Sequence, residues 1–295
     1  MRSPLPAVLA LWLTFLVGCT TVPETGRRQF IAIPASQEAQ LGASTFAQIR
    51  QTERVSTDPR YNDQVQRVGQ RIAAAVGREI ENAEWEFIVF DADQVNAFAL
   101  PGGKVGVYTG LLKLASGDDE LATVIGHEIA HVTSRHGAER MTQGLGAAAL
   151  GAIGGMLMGQ SEMDSGTQQT ILAAYGLGAT LGVNYYSRAH ELEADTIGLR
   201  FAASAGYDPR SAVTFWRKMQ AANERAARPP EILSTHPSDD RRIANLEKLA
   251  AEYLPLYQRS RGQASSGQIG RPENAPAIGS PANAPAIGSP VIGRD

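Results

Sequence analysis

Hydrophobic residues recur at helical spacing in several segments of the chain. In the most regular segment, residues 121–141, the apolar side chains fall on one helical face: Leu121, Val124, Ile125, Ile129 and Val132. A second helix is expected to begin at Asp58-Pro59 and to reach Val76, because aspartate caps a helix and proline fits its first turn. Weaker patterns predict further helices at residues 36–52, 187–205, 209–223 and 243–253.

Strand patterns are fewer and shorter. Residues 85–90 (WEFIVF) are aromatic and β-branched, which is typical of a strand. Residues 96–100 and 104–108 flank a Pro-Gly-Gly turn and predict two more strands. Because helices dominate and the strands can form only one small sheet, the sequence predicts a mostly helical α+β fold.

The composition narrows the class of protein. Of the 295 residues, 43% are hydrophobic and 19% are charged, as in globular proteins with a sizeable core. The formal net charge of −3 provides no basic excess for binding phosphates, so no nucleic-acid partner is expected. The single cysteine excludes a disulfide within the chain and a cysteine-ligated zinc finger.

The amino terminus resembles a bacterial secretory signal. Arg2 is followed by an apolar stretch at residues 5–17, which is too short to span a bilayer and typical of a signal peptide. The stretch ends in LVGC, which resembles a lipobox, in which the Cys19 thiol is lipidated and becomes the mature N-terminus. Thr20 follows instead of aspartate, which in that resemblance implies the outer membrane. An ordinary signal peptide with an incidental cysteine is the alternative.

The predicted organisation has four parts. Residues 1–18 are the signal peptide, 19–30 a lipidated tether, 31–258 the folded domain and 259–295 a disordered tail rich in Pro, Ala and Gly. The tail repeats PENAPAIGS as PANAPAIGS, and two copies are too few for a solenoid.

Two Gly-rich apolar stretches interrupt the domain, at residues 145–159 and 171–183. Each is shorter than the roughly 20 residues that a membrane-spanning helix needs. We interpret them as core helices or as a lid over the functional cleft. Contact with the membrane interface and self-association are the alternatives.

The strongest predicted helix contains His127-Glu128-Ile129-Ala130-His131. Residues four apart lie on one helical face, so both imidazoles can reach one metal ion. Glu128 is next to the first imidazole and can accept a proton from a metal-bound water. Two exposed histidines on an amphipathic helix are the alternative interpretation.

A downstream segment, SRAHELEAD at residues 187–195, can supply a third metal ligand. Glu191 and Asp195 are one helical turn apart on one face. Glu191 can bind the metal, while Asp195 can accept a hydrogen bond from the far nitrogen of a ligand histidine and so fix its tautomer. Glu193 points to another face of the helix and is not assigned as a ligand. His136 and His190 do not share the ligand face either, and they are assigned to the surface.

The segment THPSDDRR at residues 235–242 is a third candidate element. His236 precedes a proline between two helices, where it can approach the site and stabilise an oxyanion. It can also occupy the open position of the metal at rest, or simply cap a turn. Arg242 can stabilise the oxyanion as well, or hold Glu191 and Asp195.

The motifs HEIAH, SRAHELEAD and STHPSDDRRI occur in this order and resemble the HtpX, BepA and CAAX prenyl protease family of zinc metallopeptidases. NAFALPGGKVGVYTGLL and PETGRRQF, which follows the lipobox, extend the resemblance to about residues 20–250. The resemblance implies a zincin-like domain of the gluzincin type, in which a small sheet accompanies the HExxH helix.

The same resemblance assigns roles to individual residues. It implies one Zn²⁺ per chain with three protein ligands: His127, His131 and Glu191. It further implies that Glu128 is the general base, that Asp195 supports a ligand histidine, and that His236 and Arg242 contact the substrate or the transition state.

The Asn-Ala-Phe-Ala segment lies beside the zinc in that family, as the edge strand to which substrate adds. The resemblance therefore implies that unfolded or extended polypeptides pair with this strand through main-chain hydrogen bonds, at Asn96, Ala97, Phe98 and Ala99. HtpX-like members have transmembrane helices and BepA-like members carry C-terminal tetratricopeptide repeats, whereas this chain has a lipobox and a repeat tail. Partner binding through such repeats is therefore not expected.

These features predict a membrane-anchored zinc endopeptidase of the bacterial cell envelope. It would be a lipoprotein facing the periplasm that cleaves misfolded or unassembled proteins. The alternative is a chaperone-like assembly lipoprotein that binds clients at the edge strand with little proteolysis. A structural zinc site is less consistent with three ligands and an adjacent glutamate, because closed structural sites use four protein ligands. No feature of the sequence indicates an oligomeric state.

Overall fold

The computed structural model describes residues 19–144 (without residues 78, 81 and 82), 187–225, 240–265 and four single residues, Pro230, Ile232, Leu233 and His236. The predicted signal peptide, both Gly-rich stretches and the PENAPAIGS repeat lie outside these residues. In the described part, helix predominates, which confirms the mostly helical α+β fold, and the strands form two small sheets rather than the single sheet expected.

Eight helices lie in the described residues. They are α1 (Ala35–Thr52), α2 (Pro59–Val76), α3 (Thr109–Leu114), α4 (Asp118–Thr133), α5 (136–144), α6 (Arg188–Ser204), α7 (Ser211–Arg225) and α8 (Asp240–Ser265). The Asp58 side chain caps α2 and the Ser187 side chain caps α6, each by accepting a hydrogen bond from a backbone N–H of the first turn. These local capping signals explain why both helices start within one residue of the predicted position.

Residues 19–30 form a β-hairpin of β1 (Cys19–Thr21) and β2 (Arg28–Phe30). Val22 is fully buried in the main hydrophobic core, and the Arg27 side chain binds acidic side chains of α5 and α6. Residues 19–30, for which the sequence predicts a lipidated tether before a domain that begins at residue 31, therefore form a hairpin that packs against the helices of the fold.

Three further strands form the main sheet: β3 (Glu86–Phe90), β4 (Ala97–Leu100) and β5 (Lys104–Tyr108), in the order β3-β5-β4. β3 runs parallel to β5, and β4 runs antiparallel to it with Ala97 opposite Val107. β4 is thus an edge of the described sheet, and it packs against α4. Successive side chains of a strand point to opposite faces of the sheet. Phe98, which follows Ala97 in β4, therefore lies on the opposite face from Ala97, in an aromatic cluster with Phe46, Phe90 and Tyr108.

α4 and α6 cross in close contact at the centre of the core. A side-chain carbon on Gly126 would lie 2.7 Å from the carbonyl oxygen of Gly198, and one on Gly198 would lie 2.7 Å from the backbone nitrogen of His127. The helices approach this closely only because both residues are glycine. Apolar side chains around the crossing are buried: Leu121, Ile125, Ile129, Ile197 and Phe201. The crossing determines which turn of α6 faces His127.

The helix predicted over residues 121–141 is two helices. α4 ends at Thr133, Arg135 has a φ of 55°, and α5 follows. A left-handed conformation is unfavourable for a residue with a side chain, and Arg135 offsets this by binding Glu38 and the carbonyl oxygen of Ile33. The left-handed position after the helix is Arg135 rather than glycine or asparagine, so the usual sequence signal of a helix end is absent there.

Two other differences concern helix ends. α3 was not predicted, and α8 runs to Ser265, beyond the expected helix end at residue 253 and the expected domain boundary at residue 258. Pro255 lies inside α8, where a proline removes one main-chain hydrogen bond without ending this helix. Among the described residues, no helix combines the length and hydrophobicity that crossing a bilayer requires.

Candidate metal centre

α4 presents His127 and His131 side by side in the protein interior. The two residues are 1% and 3% exposed, and their Nε2 atoms lie 3.1 Å apart. This pairing follows from the four-residue spacing on one helix. Two ring nitrogens that face each other at this distance can be satisfied together by a shared cation.

α6 brings a carboxylate to this pair. One oxygen of Glu191 lies 3.4 Å from His127 Nε2, and the other lies 3.4 Å from His131 Nε2. His236 adds its Nδ1 atom, 3.0 Å from Glu191 Oε1 and 3.2 Å from His127 Nε2. The donor atoms of these four residues lie within 4.8 Å of one another, so one metal ion can contact all of them.

The chemistry of the donors fits a zinc ion. Zinc prefers four ligands drawn from imidazole nitrogens, thiolates and carboxylates. Burial raises the pKa of Glu191, but His236, His127 and His131 outweigh this effect and hold it well below its ordinary value, so the carboxylate is ionised. Burial lowers the pKa of His131 well below its ordinary value, so a neutral imidazole offers its lone pair.

Glu128 lies beside the donor cluster. It is 5% exposed, and its Oε1 atom has no hydrogen-bond partner among the described residues. The same atom lies 3.4 Å from His236 Nε2. Burial raises the pKa of Glu128, which strengthens the carboxylate as a base. A buried carboxylate oxygen in this place is suited to accept a proton from a water molecule at the metal.

Asp195 and Arg242 support His127 from behind. Asp195 Oδ1 lies 3.0 Å from His127 Nδ1, the ring nitrogen that is not in the donor cluster. Arg242 donates from Nε and Nη2 to the two oxygens of Asp195, at 2.8 Å each, and its Nη1 lies 2.9 Å from Glu191 Oε2. Arg242 therefore holds both acidic residues, one of the two roles that the sequence left open.

The charges in this support are strongly coupled. Burial raises the pKa of Asp195, but Arg242 and His127 outweigh it and lower the pKa below its ordinary value. Burial lowers the pKa of His127, but its contacts with Asp195 and Glu191 raise it to about 9. The guanidinium of Arg242 also lies 3.8 Å from the ring centre of Trp216, a neighbour that the sequence did not indicate.

The predicted substrate strand is placed next to the HExxH helix. Asn96, Ala97 and Phe98 are buried, and Asn96 Oδ1 accepts a hydrogen bond from the Ala97 backbone nitrogen at 3.0 Å. Because these side chains point into the protein, the main chain is what the edge strand offers to a partner. Cys19 is exposed on the hairpin and is not part of the metal centre.

The surface assignments of His136 and His190 are wrong. His136 is fully buried, and its Nδ1 atom lies 2.9 Å from His131 Nδ1, while His190 is 6% exposed. Burial lowers the pKa of His136 to about 4 despite a hydrogen bond with Glu193, so its imidazole is neutral. A continuous helix would direct residue 136 away from residue 131, and only the break at Arg135 brings the two rings together.

A buried helix that carries HExxH, with a glutamate from a second helix as the third donor, defines the class of glutamate-ligated zincin-type metallopeptidases. The sequence profile of Peptidase family M48 matches residues 59–250. The chain therefore belongs to Peptidase family M48, and this confirms the relationship that the three sequence motifs predicted.

Curated relatives are similar over most of this chain. The Beta-barrel assembly-enhancing protease of Escherichia coli K12 is 29% identical over 249 residues, which is 83% of this chain and 50% of the relative. The Mitochondrial metalloendopeptidase OMA1 of Schizosaccharomyces pombe is 34% identical over 241 residues, which is 80% of this chain and 67% of the relative. The Mitochondrial metalloendopeptidase OMA1 of Arabidopsis thaliana is 38% identical over 192 residues, which is 63% of this chain and 36% of the relative. The chain spans about half the length of the assembly-enhancing proteases that it matches.

Proposed function

We propose that the chain is a zinc-dependent endopeptidase of the bacterial cell envelope that cleaves misfolded or unassembled proteins. The observation that carries this proposal is Glu128, a buried carboxylate with an Oε1 atom that accepts no hydrogen bond from the described residues and lies 3.4 Å from His236 Nε2, next to four donor atoms within 4.8 Å of one another. Membership of Peptidase family M48 and similarity to the Beta-barrel assembly-enhancing protease and the metalloendopeptidase OMA1 support it.

Three residues would hold one zinc ion per chain: His127, His131 and Glu191. When bound, the zinc ion would supply Lewis-acid chemistry toward the scissile carbonyl and a water molecule. With three protein ligands, a position for water or substrate would stay open. His236 lies close enough to close that position, or to donate to the oxyanion when substrate is present.

Glu128 is the general base of the proposed reaction. It accepts a proton from the water that attacks the scissile carbonyl, and it later donates that proton to the leaving amine. The raised pKa suits both steps, because the carboxylate takes up a proton more readily than an exposed glutamate and still releases it to an amine.

Strand β4 is the proposed platform for substrate. It lies at the edge of the described sheet and packs against α4, which carries Glu128. An extended polypeptide can pair with such an edge through main-chain hydrogen bonds, which gives affinity with little sequence selectivity. This mode of binding suits clients that have lost or not yet gained their folded structure.

We also propose that a lipid on Cys19 attaches the protein to the outer membrane on its periplasmic side. Cys19 is exposed at the start of β1, so acyl chains can be added without disturbing the core. In Cys19→Ala, palmitate labelling should vanish, and the protein should leave the membrane fraction or keep its signal peptide. Membrane association of an unlipidated mature form would contradict the proposal and point to a different anchor.

A chaperone-like activity is the second candidate, because an edge strand can also hold a client that is not cut. Casein hydrolysis by the purified protein separates the two. Glu128→Gln preserves side-chain size and removes the base, so we expect casein cleavage to stop while zinc content stays the same. Glu224→Gln, at an exposed position of α7, is the matched control and should cleave like the wild type.

Cleavage by Glu128→Gln at the wild-type rate would overturn the peptidase mechanism. Wild-type protein that binds zinc and client but cleaves nothing would favour the chaperone. If the peptidase proposal is right, Glu128→Gln should retain its natural clients in cells, where they can be recovered and identified.

A further inference from the structure

The second histidine of the HExxH motif is supported by residues that the proposed mechanism does not use. His131 Nδ1 lies 2.9 Å from His136 Nδ1 on α5, and His136 Nε2 lies 2.8 Å from Glu193 Oε2 on α6. Glu193 accepts hydrogen bonds from Arg27 Nε, at 2.7 Å, and from the Thr25 hydroxyl. Arg27 and Thr25 belong to the N-terminal hairpin, so contacts run without interruption from the hairpin to the metal centre.

The direction of each hydrogen bond follows from the carboxylate. A carboxylate oxygen of Glu193 accepts the hydrogen bond, so His136 donates from Nε2, and its Nδ1 is the ring nitrogen that can accept a hydrogen bond. His131 then donates from its own Nδ1 to His136. This leaves the lone pair of His131 on Nε2, the atom that faces His127 and Glu191.

The hydrogen bonds from Arg27 through Glu193 and His136 to His131 form a relay, and Arg27 holds the end that is farthest from the metal centre. Its Nη1 lies 2.9 Å from Glu139 Oε2 on α5, while its Nε binds Glu193 on α6. Glu139 Oε2 also lies 3.1 Å from His190 Nε2. One guanidinium thus bridges carboxylates from two helices and supplies the positive charge between them.

We propose that the N-terminal hairpin is a positioning element of the metal centre: Arg27 holds Glu193, Glu193 orients His136, and His136 orients His131. The inference rests on the zinc site of the proposed function. It goes further, because it makes metal affinity depend on a side chain in the segment directly after Cys19.

The test measures zinc affinity by competition with a fluorescent chelator, using the full mature chain. Arg27→Ala should weaken zinc binding several-fold, less than the roughly 10–100-fold loss that follows removal of a direct partner of a ligand histidine, because Glu193 and His136 lie between Arg27 and His131. Arg28→Ala is the matched control, because Arg28 is the next residue of the same hairpin and is exposed. It should bind zinc like the wild type. In Arg27→Ala, the absorption bands of the cobalt-substituted protein should also shift, since the geometry of His131 changes.

A second pair of variants separates orientation from space filling and covers the case in which Arg27→Ala does not fold. His136→Leu fills the site without hydrogen bonds, whereas the amide of His136→Gln can accept from His131 and donate to Glu193. Zinc affinity should fall in His136→Leu and recover substantially in His136→Gln. Equal affinities in the two variants would overturn the relay and leave His136 as a packing residue.

The other outcomes are equally decisive. Wild-type zinc affinity and an unchanged cobalt spectrum in Arg27→Ala would overturn the inference and leave the proposed function intact. A wild-type protein that binds no zinc would overturn the proposed function, and the relay with it. If the wild-type chain binds two zinc ions and Glu193→Gln binds one, then His136 and Glu193 are part of a second metal site. That result would overturn the positioning role.

Discussion

The two histidines of the HExxH motif differ in how the rest of the protein supports them. His127 is in direct contact with Asp195, and Arg242 binds Asp195 in turn. The side chain of Arg242 is 4% exposed. His131 contacts His136, His136 contacts Glu193, and Glu193 binds Arg27. The side chain of Arg27 is 25% exposed. The first support is short and lies in the core, while the second is longer and ends in a hairpin near the surface.

The comparison shows that hydrogen-bond support of the same kind can reach two ligand histidines through different numbers of residues. In both supports, an arginine holds a carboxylate, and the carboxylate determines which ring nitrogen carries the proton. The short support depends on three core helices. The long one also depends on a two-stranded hairpin, so local opening of the hairpin would reach His131 before it reached His127.

The largest expected effect tests whether both supports end on the same ion. His127→Ala and His131→Ala should each abolish stoichiometric zinc, because two ligands from one helix turn anchor the metal. Glu191→Ala should weaken zinc binding strongly. Metal analysis of the purified variants measures this, and full zinc retention in both histidine variants would remove the site assignment.

The next effect concerns His236, which lies between the two supported histidines, with ring centres 5.0 Å from each. If His236 donates to the oxyanion, His236→Ala should lower kcat by about 10²–10³ and leave zinc content unchanged. If it closes the open metal position at rest, the same change should raise activity or self-cleavage. Kinetics on a quenched peptide separate the two, and unchanged activity would make His236 a turn residue.

A smaller effect compares the two carboxylates directly. Asp195→Ala should cost about 10–100-fold in zinc affinity or activity, because it removes the partner of His127 and leaves Arg242 buried beside fewer acids. Glu193→Gln should cost less, since His136 still separates it from the ligand. Chelator competition on both variants measures the order, and a larger loss in Glu193→Gln would reverse the comparison.

The smallest effect is on the stability of the zinc-free protein. Burial raises the pKa of Glu193, but His136, Thr25 and Arg27 outweigh this and lower it from 4.5 to about 2. Because the folded-state value is the lower one, ionised Glu193 stabilises the fold above about pH 4.5, and this is lost as the pH falls toward 2. Denaturant unfolding should find Glu193→Gln less stable than the wild type at pH 7, with the gap closing toward pH 2. A gap independent of pH would indicate a packing effect instead.

The sequence alone determined the parts of the site that lie within single helices. His127 and His131 are four residues apart, and so are Glu191 and Asp195, so helical geometry places each pair on one face wherever the helix lies. Capping residues fixed the starts of α2 and α6 for the same local reason. The order of the motifs was enough to predict membership of the M48 family.

Only the tertiary structure decided how the helices meet. Gly126 and Gly198 allow α4 and α6 to touch backbone to backbone, which brings Glu191 to the histidines, and neither glycine has a sequence signature of that role. The left-handed Arg135 returns His136 to His131. Arg27 reaches Glu193 across 166 residues of chain. Local periodicity cannot specify such contacts, because their geometry is set by the packing of the whole core around them.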